Sequence, residues 1–335
     1  MNDTKVLVTG GAGYVGSHTC LALAEAGFVP VTYDNLSNGH AQFAQWGPLE
    51  LGDINDAERL AQVFVQYDPV AVLHFAALIE VGEAAIHPNR FYKNNVGGAV
   101  TLIDAAMAHG VDKFVFSSTC ATYGNPEYLP LDEAHPQTPL NAYGRSKLMV
   151  EQILSDYSDC FDFRSVSLRY FNACGADPKR RIGERHTPET HAIPLAILTA
   201  LGVRERFSIF GTDYETRDGT AVRDYVHVTD LADAHVRALS YLLDGGATTC
   251  VNLGTGTGTT VSELVQTIRR RTNANFTVDT ASRRSGDSPC LVARNDRARD
   301  VLGWQPSRTI DDIIDTAWAW HLAELTSSTK AKALL

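Results

Sequence analysis

The sequence predicts an α/β fold: a doubly wound parallel (Rossmann) sheet with a smaller, interleaved α/β lobe. Three observations predict it. Short β-branched runs alternate with helix-like segments, a glycine-rich turn joins the first run to the first helix, and the alternation breaks near residue 171. Alternating strand and helix is the signature of parallel strands joined by right-handed crossovers.

The strand-like runs are "KVLVT" (5–9), "VPVTYD" (29–34), "LELGD" (49–53), "AVLHF" (71–75), "KFVFSS" (113–118), "RSVSLRY" (164–170) and "TCVNLG" (249–254). Several are apolar almost throughout, as strands buried on both faces must be. Helical spacing is expected over 16–26 and 95–109, and again over 143–157, where Met149, Val150, Ile153, Leu154 and Tyr157 form one face. Residues 172–225 read as loop-rich, with Pro178, Pro188 and Pro194. "HVTDLADAHVRALSYLL" then reads as a helix with Thr229 as its N-cap. These boundaries divide the chain into a nucleotide-binding domain, 1–171, to which 226–255 returns. A substrate lobe comprises 172–225 and 256–325, and 327–335 is a frayed tail.

Composition narrows the function. A chain of 335 residues with net charge −10 and no basic run offers no general nucleic-acid surface. An acidic protein that binds an anionic ligand needs a few local arginines or helix N-termini. No apolar span of membrane length and no basic, apolar leader is seen, so a cytoplasmic protein without a membrane partner is expected. The six cysteines, 20, 120, 160, 174, 250 and 290, show no C-x-x-C spacing; reduced thiols are expected, and no metal centre.

"TGGAGYVGSH" (9–18) follows the first strand and opens a helix. Gly10, Gly13 and Gly16, with Gly11 completing G-x-G-x-x-G, permit a tight turn and let a pyrophosphate sit on the helix N-terminus. A glycine pattern alone is weak, but an acid follows where one is needed. Asp34, ending the second strand, can accept from both ribose hydroxyls and repel a 2′-phosphate, which favours NAD over NADP. Asp53, read as the end of the third strand, is placed to accept from the adenine amino group.

"NAYGRSK" (141–147) puts Tyr143 and Lys147 on one helix face. A phenol with a pKa of about 10 is a poor base at neutral pH. A neighbouring ammonium and the positive nicotinamide ring would favour its phenolate. Tyr143 could then take a proton from a sugar hydroxyl as hydride leaves carbon. The same spacing also occurs on exposed helix faces; a nucleotide fingerprint upstream and the "FSST" strand end favour the reactive reading.

These segments, with "DNLSNG", "HFAAL", "NNV", "FSSTCATYG", "YGRSKLMVE", "RYFNACGA", "IGERHTPETHAIP", "IFGTDYETRDGTAVRDYVHVTDLADAH" and "SRRSGDSP", closely resemble the extended short-chain dehydrogenases/reductases. Within them they resemble the UDP-glucose 4-epimerases, from residue 5 to about 310. The resemblance implies Tyr143 as catalytic base, Lys147 as its activator and ribose ligand, and Thr119 as a hydroxyl sharing the sugar O4. It implies an NAD pocket from Gly10, Gly13, Tyr14, Val15, Gly16, Asp34, Asn35, Asn38, Asp53, Ile54, Phe75, Ala76, Ala77, Asn94, Ser117 and Tyr170. It implies a UDP-sugar substrate held by Asn172 and His191 near the diphosphate, by Arg223 and Arg284 on its charges, by Asp287 on the ribose and by Phe210 beside uracil. Read individually, the two arginines are also ordinary surface ion-pair residues. A homodimer joined through a four-helix contact is implied as well, with 95–109 and 143–157 as candidate helices.

Ile79 stands where many such enzymes have a lysine, His191 where they have an asparagine, and Leu291 where a tyrosine can limit room at the sugar 2-position. Relatives that eliminate water carry Asp-Glu after the threonine; here Cys120 and Ala121 occupy those places. The expected reaction is therefore NAD-dependent inversion at C4, interconverting UDP-glucose and UDP-galactose through a 4-keto sugar. Alternatives are 4-epimerisation of UDP-xylose and UDP-arabinose, a dual specificity including UDP-N-acetylhexosamines, and net dehydrogenation of a nucleotide sugar.

Overall fold

A computed structural model describes residues 4–284 and 287–333. Strands β1 (Lys5–Thr9), β2 (Val29–Asp34), β3 (Leu49–Leu51), β4 (Ala71–His74), β5 (Lys113–Thr119) and β6 (Arg164–Tyr170) pair in parallel. A further strand, Thr249–Leu253, pairs with β6, and the order across the sheet is that strand, then β6-β5-β4-β1-β2-β3. Side chains alternate between the faces. Val6, Val8, Leu73, Val115 and Val166 enter one apolar cluster, Leu7, Val72, Phe114 and Phe116 the other. Both faces are covered, which is why these strands read as nearly continuous apolar runs.

Helices α1 (Tyr14–Glu25), α2 (Ala57–Tyr67), α3 (Val81–Ile86), α4 (Pro88–Phe91), α5 (Gly98–Ala108) and α6 (Ala142–Cys160) connect these strands. The stretch expected as one helix over 95–109 is in fact a π-helical turn, Tyr92–Gly97, running into α5. The wider turn swings Asn95 inward, where it is only 2% exposed. The third strand stops at Leu51, so Asp53 lies in the following turn rather than at a strand end.

Beyond Tyr170 the chain forms β7 (Asn172–Cys174), α7 (Ala192–Ala200), β8 (Phe207–Phe210), β9 (Val222–Arg223) and β10 (Tyr225–His227). It returns to the large sheet through α8 (Val228–Leu243) and the strand Thr249–Leu253, which is β11. Then follow β12 (Thr259–Thr260), α9 (Val261–Thr272), β13 (Val278–Ala281), β14 (Cys290–Leu291), α10 (Asp296–Leu302) and α11 (Ile310–Ala333). β7 pairs with β10, β8 with β13, and β9 lies between β12 and β14. Ile193 and Ile197 of α7 close a third cluster with Leu264, Ile268, Ile313 and Phe207. The N-cap of α8 is His227, not Thr229: His227 Nδ1 accepts from Thr229 N at 3.1 Å, and the Thr229 hydroxyl turns toward the same nitrogen.

Four buried imidazoles carry a pH signature. Burial pushes His18, His227 and His235 down to about 4 and His74 to about 3. His18 and His235 each turn Nδ1 to the carbonyl four residues earlier, at 2.8 Å, which fixes a neutral tautomer. The unfolded chain, with ordinary histidines near 6.5, binds more protons in the window between about 4 and 6.5. This contribution to stability is therefore full above pH 6.5 and is lost as pH falls toward 4. In a histidine NMR titration, four of the eleven imidazoles should remain neutral at about pH 5.5 while thermal stability already declines. Eleven titrations clustered at the ordinary value would contradict the burial argument.

Candidate active site

The sheet order reverses direction between β1 and β4, and in an open α/β sheet a crevice forms at that point beyond the strand ends. The fingerprint turn lies in it. Gly10 has φ +74°, and a Cβ there would stand 2.6 Å from the Ala76 backbone nitrogen. A Cβ on Gly16 would run into the Gly10 carbonyl oxygen. Both positions exclude side chains, which leaves backbone N–H groups at the start of α1 open to an anion. Val15 is the second residue of that helix. The Tyr14 side chain turns away, its hydroxyl donating to the Gly175 carbonyl at 2.6 Å, so only its backbone faces the turn.

Asp34 is buried at the end of β2. One carboxylate oxygen accepts from Ala12 N at 3.0 Å and the other from Leu36 N at 2.8 Å. A carboxylate has about four acceptor positions. Two therefore remain, one per oxygen, which matches the two hydroxyls of a ribose. Burial raises the Asp34 pKa, and the two backbone donors draw it back. Asp53 is more engaged: Asn55 N, Asn55 Nδ2 and Asn35 Nδ2 donate to it at 2.8–3.0 Å. Asn38 reaches Glu80 at 3.4 Å. The Ile54 side chain enters the core against Gly98, which leaves its backbone to face the Asp53 turn. The glycine cradle and the spare acceptors of Asp34 fit the pyrophosphate and adenosine ribose of NAD.

Across the crevice, β5 ends at Ser117–Thr119 and α6 starts beside it. Asn141 caps α6 through its side chain, accepting from Gly144 N at 2.9 Å, and this sets Tyr143 and Lys147 in the first turns. Lys147 is 3% exposed, donates to the Ser117 carbonyl at 2.8 Å and lies over the Phe116 ring. Burial lowers its pKa to about 7. Burial also pushes the Tyr143 phenol far above its ordinary range, and Tyr170 adds to this. The Thr119 hydroxyl pulls the phenol back down. Ser117 Oγ bonds the Tyr170 hydroxyl at 2.8 Å, and the ring of Phe75 packs on His235. Ala77 and Asn94 are half-buried, and Asn94 donates to Asn95 at 3.0 Å.

Asn95 escaped the sequence reading. It donates to Ser146 Oγ and to the Leu78 carbonyl, both at 3.0 Å, and accepts from Leu78 N at 2.8 Å. It thereby ties the chain after β4 to the reactive face of α6. Asp224 was missed too: it is fully buried and takes four donors from Thr255, Gly256 and Ala293. That anchors the residue following Arg223.

The expected anion-binding residues gather around β9. Arg223 donates to the carbonyls of Val222 and Ser288, both at 2.9 Å, and Asp287 stands 3.8 Å from its guanidinium. Arg284 lies over the Phe210 ring, 3.8 Å from its centroid. Asn172 donates to the Asp224 carbonyl at 3.1 Å. Leu291, in register with Arg223, shares an apolar cluster with Cys120, so this group abuts the end of β5. The His191 Nδ1 is taken by Glu189 at 2.9 Å and Glu184 at 3.0 Å. Ile79, two residues before α3, is 37% exposed.

Residues 6–254 match the NAD dependent epimerase/dehydratase family. The chain is 62% identical over 321 residues to the UDP-glucose 4-epimerase of Rhizobium leguminosarum bv. trifolii, covering 96% of this chain and 98% of the relative. It is similar to the UDP-glucose 4-epimerase of Brucella ovis solved with NAD, with TM-score 0.92, 48% identity, and 94% and 98% of the two chains covered. It is similar also to a UDP-glucose 4-epimerase of Stenotrophomonas maltophila solved with NAD and formylated UDP-arabinopyranose, with TM-score 0.94, 37% identity, and 97% and 99% covered.

Gly10→Ala tests the cradle. The left-handed backbone and the approach to Ala76 together should cost about 1–3 kcal/mol of stability or force the turn open. The purified variant should carry less than about a tenth of the wild-type nucleotide content, on the scale of that energy. Undiminished nucleotide content would show that the turn is not the binding element.

Proposed function

We propose that this chain, which belongs to the NAD dependent epimerase/dehydratase family, interconverts UDP-glucose and UDP-galactose by inverting carbon 4 of the hexose. One observation carries the reading: the reactive end of β5 holds hydroxyls for redox chemistry but no acid–base pair for elimination. The Thr119 hydroxyl is near enough to the Tyr143 phenol to lower its pKa, whereas the next two residues are Cys120 and Ala121. Burial pushes the Cys120 thiol up to about 12, so it moves no proton at neutral pH. A ketone formed at such a site has reduction as its productive fate.

NAD, when bound, supplies the acceptor and then the donor of the C4 hydride. We assign its pyrophosphate to the Gly10–Gly16 turn, its adenosine ribose to Asp34 with Asn35 and Asn38 nearby, and its adenine to Asp53 and the Ile54 backbone. Phe75, Ala76, Ala77, Asn94, Ser117 and Tyr170 line its remaining length, with Lys147 beside the second ribose. Tyr143 takes the O4 proton as the carbonyl forms and returns one when the sugar has turned over; Thr119 holds O4 during both steps. The lysine steadies the strand end through Ser117, and when it is protonated beside the bound nicotinamide its charge favours the phenolate.

Turning over requires a firmly held nucleotide and a loosely held sugar. Arg223 and Arg284 offset the diphosphate charge, Asn172 and His191 border it, Asp287 accepts from the ribose and Phe210 flanks the uracil. Arg284 already lies on the Phe210 ring, so these two groups form one platform. Such planar guanidinium groups suit phosphate recognition. We accordingly read 172–225 and 256–325 as the UDP-sugar lobe and 1–171 with 226–255 as the NAD domain. Side-by-side α5 and α6, joined by Tyr157 and Asp104 at 2.7 Å with Met149 exposed outside, support a homodimer through these helices. Six free cysteines fit the reducing cytoplasm.

With no NAD added, purified protein should convert UDP-galactose to UDP-glucose, resolved by proton NMR. Turnover of UDP-xylose alone would move the substrate to pentoses, and accumulation of reduced cofactor in proportion to substrate would make the protein a dehydrogenase. Tyr143→Phe should lower kcat by about 10²–10⁴ with UDP-sugar binding little changed. Near-normal turnover would remove Tyr143 from its role.

A further inference from the structure

The loop between β7 and α7 gathers two carboxylates and two imidazoles that the epimerase reading leaves without a shared purpose. Glu184, His186, Glu189 and His191 present donor atoms that all lie within 4.8 Å of one another. We propose that this E-x-H-x-x-E-x-H segment is a binding site for one divalent transition-metal ion, of the zinc class, that braces the loop against the nucleotide-binding helix.

The argument is geometric. Both imidazoles turn the same nitrogen, Nδ1, toward the carboxylates. Glu184 Oε1 lies 3.3 Å from His186 Nδ1 and 3.0 Å from His191 Nδ1. Glu189 Oε2 lies 3.5 Å from His186 Nδ1, and its Oε1 lies 2.9 Å from His191 Nδ1. A tetrahedral ion with ligands at about 2.0–2.2 Å has ligand–ligand edges of about 3.3–3.6 Å. Three of the six edges, those from Glu184 Oε1 to both imidazoles and from Glu189 Oε2 to His186, are thus within a few tenths of an ångström of that figure. His186 Nδ1 is closed off from solvent yet makes no hydrogen bond of acceptable angle, although two carboxylates are near. A nitrogen so placed is presented as a ligand rather than as a hydrogen-bond donor. Mixed imidazole and carboxylate donors suit zinc and its neighbours in the first transition row.

The surroundings orient the donors. Backbone N–H groups of Thr190 and His191 both donate to Glu189 Oε1 at 2.8 Å, which leaves Oε2 facing His186. Glu184 is 4% exposed, and its carbonyl accepts from Trp320 Nε1 of α11 at 3.0 Å. Outer contacts of this kind fix ligand carboxylates in metal sites. The His186 ring meets Tyr14 edge-on, with centroids 6.2 Å apart, and His40 bonds the Arg185 carbonyl at 3.1 Å. An ion here would therefore lock this loop onto α1 and α11 at once. It would take no part in moving the C4 hydride.

The test uses the full chain with its nucleotide, stripped of metals with a chelator and then titrated with zinc chloride alone. Metal content after gel filtration should reach about one zinc per chain, and zinc should raise the melting temperature. His186→Ala and Glu189→Gln should each weaken zinc binding by at least about tenfold and abolish the thermal shift. Should either variant fold poorly, X-ray absorption of the zinc-loaded wild type decides: two nitrogens and two oxygens at about 2.0–2.2 Å are expected. No zinc on the wild type, unchanged binding in the variants, or a shell containing sulfur would overturn the proposal.

Discussion

The site depends on a single close approach: the backbone of Gly10 against the chain at Phe75–Ala76. Phe75 N and Ala76 N both donate to the Thr9 carbonyl, at 2.9 and 3.1 Å, so β1 and β4 stay joined to the last residue before they diverge. The divergence opens the crevice, and the glycine keeps it clear of side chains. One wall becomes the start of α1 with its free N–H groups, the other the chain leading through Leu78 to Asn95. From Asn95 the same framework reaches Ser146 on α6, between Tyr143 and Lys147. Cofactor cradle and reactive pair are thus two ends of one hydrogen-bonded scaffold.

Charge is handled locally. On the proposed reading, a chain of net charge −10 holds a doubly charged diphosphate by placing a few arginines beside it. Arg223 spends two of its donors on carbonyls, which fixes its plane, and Arg284 is set by the Phe210 ring. The reactive pair follows the opposite rule. Burial favours the neutral phenol and the neutral amine, so the protein's own interior supplies little of the negative charge that a base needs. Thr119 partly offsets this at the phenol.

Much of this was legible in the sequence because the chemistry demanded particular residues at particular spacings. The fingerprint glycines, Asp34, and the Tyr143–Lys147 helix face all fall where the patterns put them, at the ends of strands in the expected sheet. What stayed hidden depended on geometry that spacing does not encode. Asn94 and Asn95 are identical in sequence, and only the π-helical turn decides that the second points inward. Tyr14 and Ile54 sit in nucleotide-binding segments, yet their side chains go to Gly175 and to the core. His227 takes the cap from Thr229 because its ring nitrogen reaches Thr229 N first. The four donors of 184–191 lack the C-x-x-C spacing that signals a metal, so only their convergence reveals them.

The central claim is that electrons taken from C4 return to the same molecule. UDP-galactose bearing deuterium at C4 and uniform carbon-13 in the sugar would be mixed with an equal amount of unlabelled substrate and brought to equilibrium with no NAD added. The account predicts UDP-glucose whose deuterium stays at C4 and stays with the carbon-13 molecules, as judged by mass spectrometry. Deuterium lost to solvent, or spread onto unlabelled sugars, would contradict it.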